Sequence, residues 1–273
     1  MDEFNHFFNE NRLYGDDFSL EEIRQWYDVE AEAYANLYGL NSDDESYGYA
    51  NLNQLYGFRY IKDIDSFHHV LGFGSSWGYE FLPIIDKIKK LTIIESSIQT
   101  RSLKINELVP EYKSPNVEGT IDFPDNSFDL ITCFSTLHHI PNVSFVLKEL
   151  FRVLKNGGFM LLREPVNSMG DWRDKRIGLT ANERGIPKDY LSNIIHQHGM
   201  VVVKKHYYYC MTAFFMRAFK KLNPDAWQYL YLDKFLSSLF IFNMHYHPTN
   251  ILQRISPTSV FYVLKKPLIS DVF

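Results

Sequence analysis

Three glycines and one glutamate have the residue types and the spacing that could bind a nucleoside. Gly72, Gly74 and Gly78 follow a short apolar run and precede a helix-like pattern, and Glu95 ends a second apolar run about 20 residues further on. Glycines in a strand–turn–helix unit let a ligand approach the backbone N–H groups, because no side chain is in the way. A carboxylate at this offset can accept hydrogen bonds from the hydroxyls of a ribose. The alternative for the glycines alone is a tight turn that binds nothing.

Two further motifs follow in the chain. Phe123-Pro124 and Ser127-Phe128-Asp129 lead into a third apolar run, and Arg152 to Gly158 reads RVLKNGG. In this order, over Val70 to Pro165, the motifs resemble those of the class I S-adenosylmethionine-dependent methyltransferases. The combination is far more specific than any one motif. We expect Asp129 to hold its turn by hydrogen bonds.

The resemblance implies a cofactor and a site for it. The cofactor would be S-adenosylmethionine, with S-adenosylhomocysteine as the product, and Glu95 would bind the ribose. Two residues depart from the family pattern, since Gly72 stands where the family usually has an acid and Ser76 where it has its middle glycine. The residues expected to shape the cofactor pocket are Gly72, Phe73, Gly74, Ser75, Gly78, Glu95, Thr120, Ile121, Asp122, Phe134 and Ser135.

The resemblance also implies that the segment after the fourth strand lies beside the methyl acceptor. This segment contains His138 and His139, and Glu164 ends the next strand. An imidazole titrates near working pH, so either histidine, or Glu164, could act as general base for a hydroxyl acceptor. The alternative is structural, with His139 capping the next helix and His138 packing in the core.

An acceptor-binding loop is expected at residues 166–187, because this segment is longer than a plain connection between elements. The loop contains arginines, which can bind carboxylates, phosphates and sugar hydroxyls. A sugar hydroxyl of a polysaccharide or natural product is therefore the first candidate acceptor. A solvated charged loop is the alternative. The residues expected to bind the acceptor are Tyr34, Tyr49, Trp172, Arg173, Arg176 and Arg184.

Strand-like runs alternate with helical patterns in the core, which predicts an α/β fold with a mostly parallel, doubly wound sheet. By the resemblance, this Rossmann-like sheet has seven strands, the last of them antiparallel. Residues 1–64 are predicted to form a helical lid and residues 65–273 the methyltransferase domain. A helical insertion at 211–256, between the last two strands, could cap the acceptor pocket, form a homodimer surface or lie on a membrane, and the first two are favoured. A helix is predicted near 98–109 and the third strand near 116–120.

Composition excludes several classes of protein. The chain has 273 residues, of which 45% are hydrophobic, so one large domain or one domain with an appendage is expected. A net charge of −5 argues against a nucleic-acid-binding protein. Neither a secretory signal nor an apolar run of the ~18 residues needed to span a bilayer is present, so a cytoplasmic location is expected. Cys133 and Cys210 suit buried free thiols, and no metal site is predicted because the histidines lack a full ligand set.

Two other functions would share part of these features. A non-catalytic protein of the same fold, acting as a binding or regulatory partner, would account for Gly72 and Ser76. A nicotinamide-dependent dehydrogenase would share the glycine turn and Glu95, but it does not explain the SFD and RVLKNGG motifs. The function predicted from the sequence is therefore methyl transfer to a small molecule.

Overall fold

Seven strands form one sheet. A computed structural model describes residues 5–8, 12–38, 47–172, 174, 176 and 178–268, with the backbone alone for residues 5 and 31–38. The strands are β1 (Val70–Phe73), β2 (Leu91–Ile94), β3 (Glu111–Lys113), β4 (Phe128–Phe134), β5 (Leu154–Pro165), β6 (Val201–Tyr208) and β7 (Ser259–Lys265). Their order in the sheet is β3-β2-β1-β4-β5-β7-β6. The first five strands are parallel and β7 runs antiparallel to β5 and β6, so the predicted topology is confirmed.

Six α-helices accompany the sheet in the described part of the chain. They are α1 (Leu20–Tyr38), α2 (Ala50–Tyr56), α3 (Val143–Val153), α4 (Lys188–Gln197), α5 (Thr212–Ala218) and α6 (Trp227–Phe240). Short 3₁₀ helices lie at Asn5–Phe8, Phe58–Tyr60, Tyr79–Lys87, Leu137–His139, Ile241–Asn243 and Leu252–Arg254. A capping box starts α1, because the Ser19 N–H donates to the Glu22 carboxylate at 2.7 Å and the Glu22 N–H donates to Ser19 Oγ at 3.4 Å.

The two faces of the sheet bury separate hydrophobic clusters. One cluster contains the apolar residues of α3 and α4, and the other contains those of α2 and of the 3₁₀ helix Tyr79–Lys87. Successive side chains of a strand point to opposite faces, and in β5 Leu162 accordingly belongs to the first cluster and Leu161 to the second. By the same alternation Arg163 lies on the α2 face and Glu164 on the α3 face.

Two predicted elements are wrong. The segment 98–109 is not helical, because Asn106 has a left-handed backbone with φ 50° and makes a turn in which Ile105 and Leu108 exchange backbone hydrogen bonds. The third strand lies at Glu111–Lys113 and not near 116–120. There the chain turns instead, with Gly119 at φ 87° and its N–H donating to the Asn116 carbonyl.

The segment after the glycine turn also differs from a regular helix. Residues Tyr79–Lys87 have 3₁₀ geometry and include Pro83, which has no backbone N–H to donate. Gly78 precedes it with φ 73°, and a Cβ there would come within 2.4 Å of the Ile105 side chain. The compact turn therefore needs glycine at position 78.

The insertion packs back onto the N-terminal segment. The Asp225 carboxylate accepts hydrogen bonds from the N–H groups of Asn51 and Leu52 at 3.0 and 2.8 Å, which caps α2 from outside.

The proposed boundary at residue 64 remains a prediction. Cys133 and Cys210 are buried free thiols. Among the described residues no helix has both the length and the apolarity that a membrane crossing requires.

Candidate cofactor and acceptor site

A cleft of about 1030 Å³ opens at the carboxyl ends of β1, β2 and β4. Seven of the predicted cofactor-binding residues line it: Phe73, Gly74, Glu95, Thr120, Ile121, Asp122 and Ser135. Ligands of open α/β sheets bind at this edge, and the sequence therefore locates the cleft although it misplaces the third strand. The other four predicted residues are Gly72, Ser75, Gly78 and Phe134, which support the cleft wall without lining it.

Glu95 lies directly after β2, and its carboxylate is held in place by backbone donors. Its Oε2 accepts from the Ser76 N–H at 3.0 Å, and its Oε1 accepts from the Ser97 N–H at 3.0 Å. A carboxylate offers about four lone-pair sites, so acceptor capacity remains for a ligand. The glycine turn thus orients the one acid that the sequence assigns to a ribose.

Gly72 and Ser76, the two departures from the family pattern, have local explanations. Ser76 adopts the left-handed backbone with φ 49°, as a glycine there would, and its buried Oγ has no hydrogen-bond partner among the described residues. A Cβ on Gly72 would come within 2.4 Å of Ser75 Oγ. That hydroxyl donates at 3.0 Å to Glu80, a buried acid whose pKa is raised by burial. Glu80 therefore supplies a carboxyl group behind the turn, where Gly72 supplies none.

The RVLKNGG motif supports the wall of the cleft from behind. Arg152 donates to the carbonyls of Ile121 and Phe123 at 2.8 and 2.9 Å, and Glu149 accepts from the Ile121 N–H at 3.0 Å. Ile121 and Phe123 both line the cleft. The motif therefore holds a loop that lines the cleft, although no residue of Arg152–Gly158 lines the cleft itself.

Asp129 of the SFD motif is also a support, as predicted. Its carboxylate accepts from the His69 N–H and from Lys155 Nζ, both at 2.7 Å. These bonds join the start of β4 to the chain before β1 and to β5, because His69 immediately precedes β1 and Lys155 belongs to β5.

The residues present fit a nucleoside cofactor. Glu95 supplies a carboxylate for ribose hydroxyls, Ile98 and Ile121 supply apolar surface for a base, and Ser76 Oγ is a buried hydroxyl without a partner among the described residues. Ligand sites commonly measure about 300–1000 Å³, so the cleft has room for a nucleoside and a small second substrate.

His138 and Glu164 form a buried ion pair on the α3 face. The Glu164 carboxylate accepts from the N–H groups of Thr136 and Leu137 at 2.9 and 2.8 Å and lies 2.8 Å from His138 Nδ1. His138 Nε2 lies 3.6 Å from Glu183. Burial opposes the charged imidazolium, but the two carboxylates outweigh it and raise the pKa of His138 to about 9. A protonated His138 cannot accept a proton, and this geometry supports a positioning role for both residues.

His139 differs because it lines the cleft. Its Nδ1 lies 3.3 Å from the Glu30 carboxylate. Burial lowers the pKa of His139, and the charge of His138 lowers it further, so this imidazole is neutral at neutral pH. Of the three predicted catalytic residues, His139 is the one with both the location and the protonation state of a base.

Together the two histidines and Glu183 bring potential metal ligands within 4.8 Å of one another. The pKa of about 9 keeps a proton on His138 between two carboxylates, where a metal would need a neutral ring. The absence of a resident metal remains a prediction.

The predicted acceptor-binding residues have other contacts in the structure. Arg184 is buried and donates to the carbonyls of Tyr14, His138 and Pro141, and Arg176 donates to the carbonyls of Thr180, Ala181 and Glu183. The Trp172 ring stacks on Tyr14 with centroids 5.7 Å apart. These contacts fasten the N-terminal segment to the 166–187 loop, so acceptor binding by this loop stays a prediction.

The other residues predicted to bind the acceptor are Tyr34, Tyr49 and Arg173. Tyr49 does not line the cleft but stacks on Arg163. Arg173 and the side chain of Tyr34 lie outside the described residues. Tyr27, Glu30 and Thr136 line the cleft without having been predicted, and the helical spacing of α1 would have indicated the first two as one face.

Comparison with known proteins agrees with the fold. Residues 71–162, about a third of the chain, match the family model described as "Methyltransferase domain". The uncharacterized methyltransferase YcgJ of Bacillus subtilis (strain 168) is 31% identical over 101 residues, which cover 35% of this chain and 40% of that protein. A ubiquinone biosynthesis O-methyltransferase of Xanthomonas oryzae pv. oryzae is 29% identical over 83 residues, or 30% of each chain. The matches thus span less than half the length of these curated relatives.

Structural similarity covers more of the chain. The crystal structure of the [4+2]-cyclase SpnF aligns with a TM-score of 0.56 over 92% of this chain and 98% of that one, at 16% identity. The chain has the fold of the class I S-adenosylmethionine-dependent methyltransferases, as the sequence motifs predict. At this identity the structural alignment speaks to fold alone.

Proposed function

We propose that the protein is an S-adenosylmethionine-dependent methyltransferase that acts on a small molecule. The observation that carries the proposal is Glu95, which lines the cleft of about 1030 Å³ and is held there by the N–H of the glycine turn. The methyltransferase-domain match over residues 71–162 supports the same reading.

The residues of the chain have separable roles in this proposal. When bound, S-adenosylmethionine would supply a methyl group whose carbon a nucleophile attacks in line, with S-adenosylhomocysteine as the leaving group. Glu95 accepts from the ribose hydroxyls, and Ile98 with Ile121 covers the base. His139, whose Nδ1 lies 3.3 Å from the Glu30 carboxylate, would take the proton of an acceptor hydroxyl at the cleft. Positioning and water exclusion supply most of the rate in such a displacement.

The acceptor is proposed to be small because the cleft is bounded by α1 and by the 113–123 segment. A hydroxyl group as the methylated group agrees with a neutral His139 at the cleft. A sugar as its carrier stays a prediction, since it was based on arginines that the structure engages with backbone carbonyls.

Calorimetric titration with S-adenosylhomocysteine tests the cofactor site. Saturable binding is expected for the wild type. Glu95→Gln should weaken it about tenfold or more, because charge-assisted hydrogen bonds to the ribose are replaced by weaker neutral ones. Glu107→Gln is the matched control, since Glu107 is an exposed acid that pairs with Lys104.

Three results would count against the proposal. A wild type that binds no S-adenosylhomocysteine would favour a non-catalytic partner protein. Saturable binding of NAD in place of the nucleoside would favour a dehydrogenase. Equal affinity for the wild type and Glu95→Gln would remove the assignment of the ribose site.

The insertion is proposed to form a homodimer surface. Exposed apolar side chains recur at helical spacing along α6, and adjacent exposed apolar side chains of this kind mark interaction surfaces. They are Trp227, Tyr231, Phe235 and Leu239. Light scattering should give a dimeric mass that Phe235→Glu reduces to a monomer, and an unchanged mass would remove this surface from consideration.

A cytoplasmic location is proposed on the buried free thiols of Cys133 and Cys210.

A further inference from the structure

Arg163, near the carboxyl end of β5, carries a buried charge that has no ion-pair partner among the described residues. Its exposed fraction is 3%, and neither Nε nor Nη1 makes a hydrogen bond within the described part of the chain. None of the described carboxylates lies within 4.0 Å of it. Arg184 is equally buried, but it donates to three backbone carbonyls. A buried guanidinium with unsatisfied donors is costly to the fold, so its presence calls for a ligand.

The surroundings of Arg163 are aromatic. Its guanidinium carbon lies 4.0 Å from the centre of the Tyr49 ring and 5.4 Å from that of Phe134. A ring face attracts the cation but does not accept the in-plane N–H groups that a planar anion would take in a bidentate manner. The aromatic contacts therefore hold the guanidinium and leave its hydrogen-bonding capacity for something else.

The nearby acid does not neutralise Arg163. Glu80 accepts hydrogen bonds from Ser75 and Thr132, and burial raises its pKa although Arg163 acts in the opposite direction. Arg163 therefore has no ion-pair partner among the described residues on the α2 face of the sheet.

Arg163 does not itself line the cleft but lies next to residues that do. Its register partner on β4 is Phe134, and the two residues that follow, Ser135 and Thr136, line the cleft. Adjacent strands are about 4.8 Å apart, so the backbone of Arg163 lies one strand away from that part of the cleft wall. Tyr49, which covers it, is 39% exposed, so this cover reaches the protein surface.

We propose that Arg163 binds a carboxylate of the methyl acceptor, and hence that the acceptor is a flat, anionic small molecule. This inference rests on the proposed function. A carboxylate is preferred to a phosphate because it is planar and can lie in the plane of a guanidinium that has an aromatic ring on its face. The acceptor would present its hydroxyl to His139 from the adjacent cleft.

A matched pair of probes tests the charge requirement. We would titrate the protein, with and without S-adenosylhomocysteine, with 4-hydroxybenzoate and with its neutral analogue 4-hydroxybenzamide. The acid is expected to bind saturably and at least about tenfold more tightly than the amide, because only the acid makes charge-assisted hydrogen bonds. Arg163→Met should abolish this preference, and Arg163→Lys should retain part of it, since lysine keeps the charge and loses the planar fork.

Arg59→Met is the control for arginine removal in general. Arg59 also lies over a tyrosine ring, that of Tyr60 at 5.5 Å, but it is exposed. This variant should keep the full preference for the acid. If inorganic phosphate displaced 4-hydroxybenzoate as effectively as a carboxylate did, the proposed ligand class would be wrong.

A stability measurement separates a binding role from a structural one. Arg163→Met removes an unpaired buried charge, so its melting temperature should equal or exceed that of the wild type. A fall of several degrees, or equal binding of acid and amide by the wild type, would overturn the proposal. Weaker S-adenosylhomocysteine binding by Arg163→Met would overturn it as well, by assigning the arginine to the cofactor. Failure of the wild type to bind S-adenosylhomocysteine contradicts the proposed function and is read independently of the probe titration.

Discussion

Arg163 and Glu164 are consecutive residues with opposite charges and opposite hydrogen-bonding states. Both are buried, at 3% and 0% exposure, on the two faces of β5. Glu164 accepts from three backbone N–H groups and pairs with the His138 ring. The buried Nε and Nη1 of Arg163 have no partner among the described residues, although aromatic rings lie against the guanidinium.

The difference separates two uses of a buried charge. Glu164 fixes the turn Thr136–His139 and thereby the position of His139 at the cleft. Its charge therefore stabilises the protein itself. Arg163 stabilises nothing by hydrogen bonding in the described structure, which leaves its charge for a ligand. Removal of each charge should therefore change stability in opposite directions.

Glu164→Ala is expected to have the largest effect. The change removes one of the two carboxylates beside the buried His138 imidazolium and takes the Glu164 acceptor from three backbone N–H groups. Breaking a buried ion pair by removal of one partner costs about 3–5 kcal/mol. Urea unfolding monitored by fluorescence would measure the loss. Glu164→Gln keeps the shape and one acceptor oxygen and should cost less. The comparison would be refuted if Glu164→Ala left the unfolding free energy unchanged while Arg163→Met lowered it.

The pH dependence of stability gives the next largest effect. The folded pKa of about 9 for His138 exceeds the ordinary value near 6.5, so the ion pair stabilises the fold fully below pH 6.5 and loses this contribution as pH rises through 9. A shift of this size corresponds to about 3 kcal/mol. Urea midpoints measured between pH 6 and pH 10 should fall accordingly.

Two variants isolate the His138 contribution. His138→Gln should flatten the decline between pH 6.5 and 9, because glutamine carries no titrating proton. His196→Gln, at an exposed position on α4, should leave it unchanged. A profile for His138→Gln that overlays the wild-type profile would mean that His138 is not the titrating group and that Glu164 has no charged partner.

Local sequence patterns predict the strands and the position of Glu95 better than they predict the turns. The strands with a continuous apolar pattern, such as Phe128–Phe134 and Ser259–Lys265, are found where periodicity predicts them. Glu95 is found at the cleft because a strand end fixes its position. Left-handed residues such as Asn106 and Gly119 break the patterns that predicted a helix and a strand, and apolar spacing alone does not reveal them.

Hydrogen-bond partners are less predictable than elements. The sequence indicates Glu164 as a candidate general base, but its hydrogen-bond partners come from residues 26 to 28 positions earlier in the chain. Arg163 has no predicted role in the site, although an arginine inside the apolar run MLLREP is a signal that a charge is buried. Whether such a charge is paired depends on Tyr49 and Phe134, which only the folded chain brings together with it.

The smallest expected effect concerns Tyr49, the aromatic cover of Arg163. A double-mutant cycle with Tyr49→Leu and Arg163→Met should give a coupling energy of about 1 kcal/mol, because a cation over a partly desolvated ring is worth roughly 0.5–2 kcal/mol. Tyr49→Phe keeps the ring face and should retain most of this coupling. Unfolding free energies of the four proteins supply the measurement.

The cycle is needed because Tyr49→Leu alone has two opposing consequences. Loss of the ring removes the cation–π attraction, but it also admits water to the guanidinium and relieves its desolvation. Only the coupling term reports whether the ring holds the cation in place, and the outer cap that Asp225 provides to α2 remains in every variant. Zero coupling would mean that Arg163 is not held against Tyr49, so that its side chain is not preorganised. A ligand would then have to order the guanidinium as it binds, and the tenfold preference for a carboxylate would shrink by that ordering free energy.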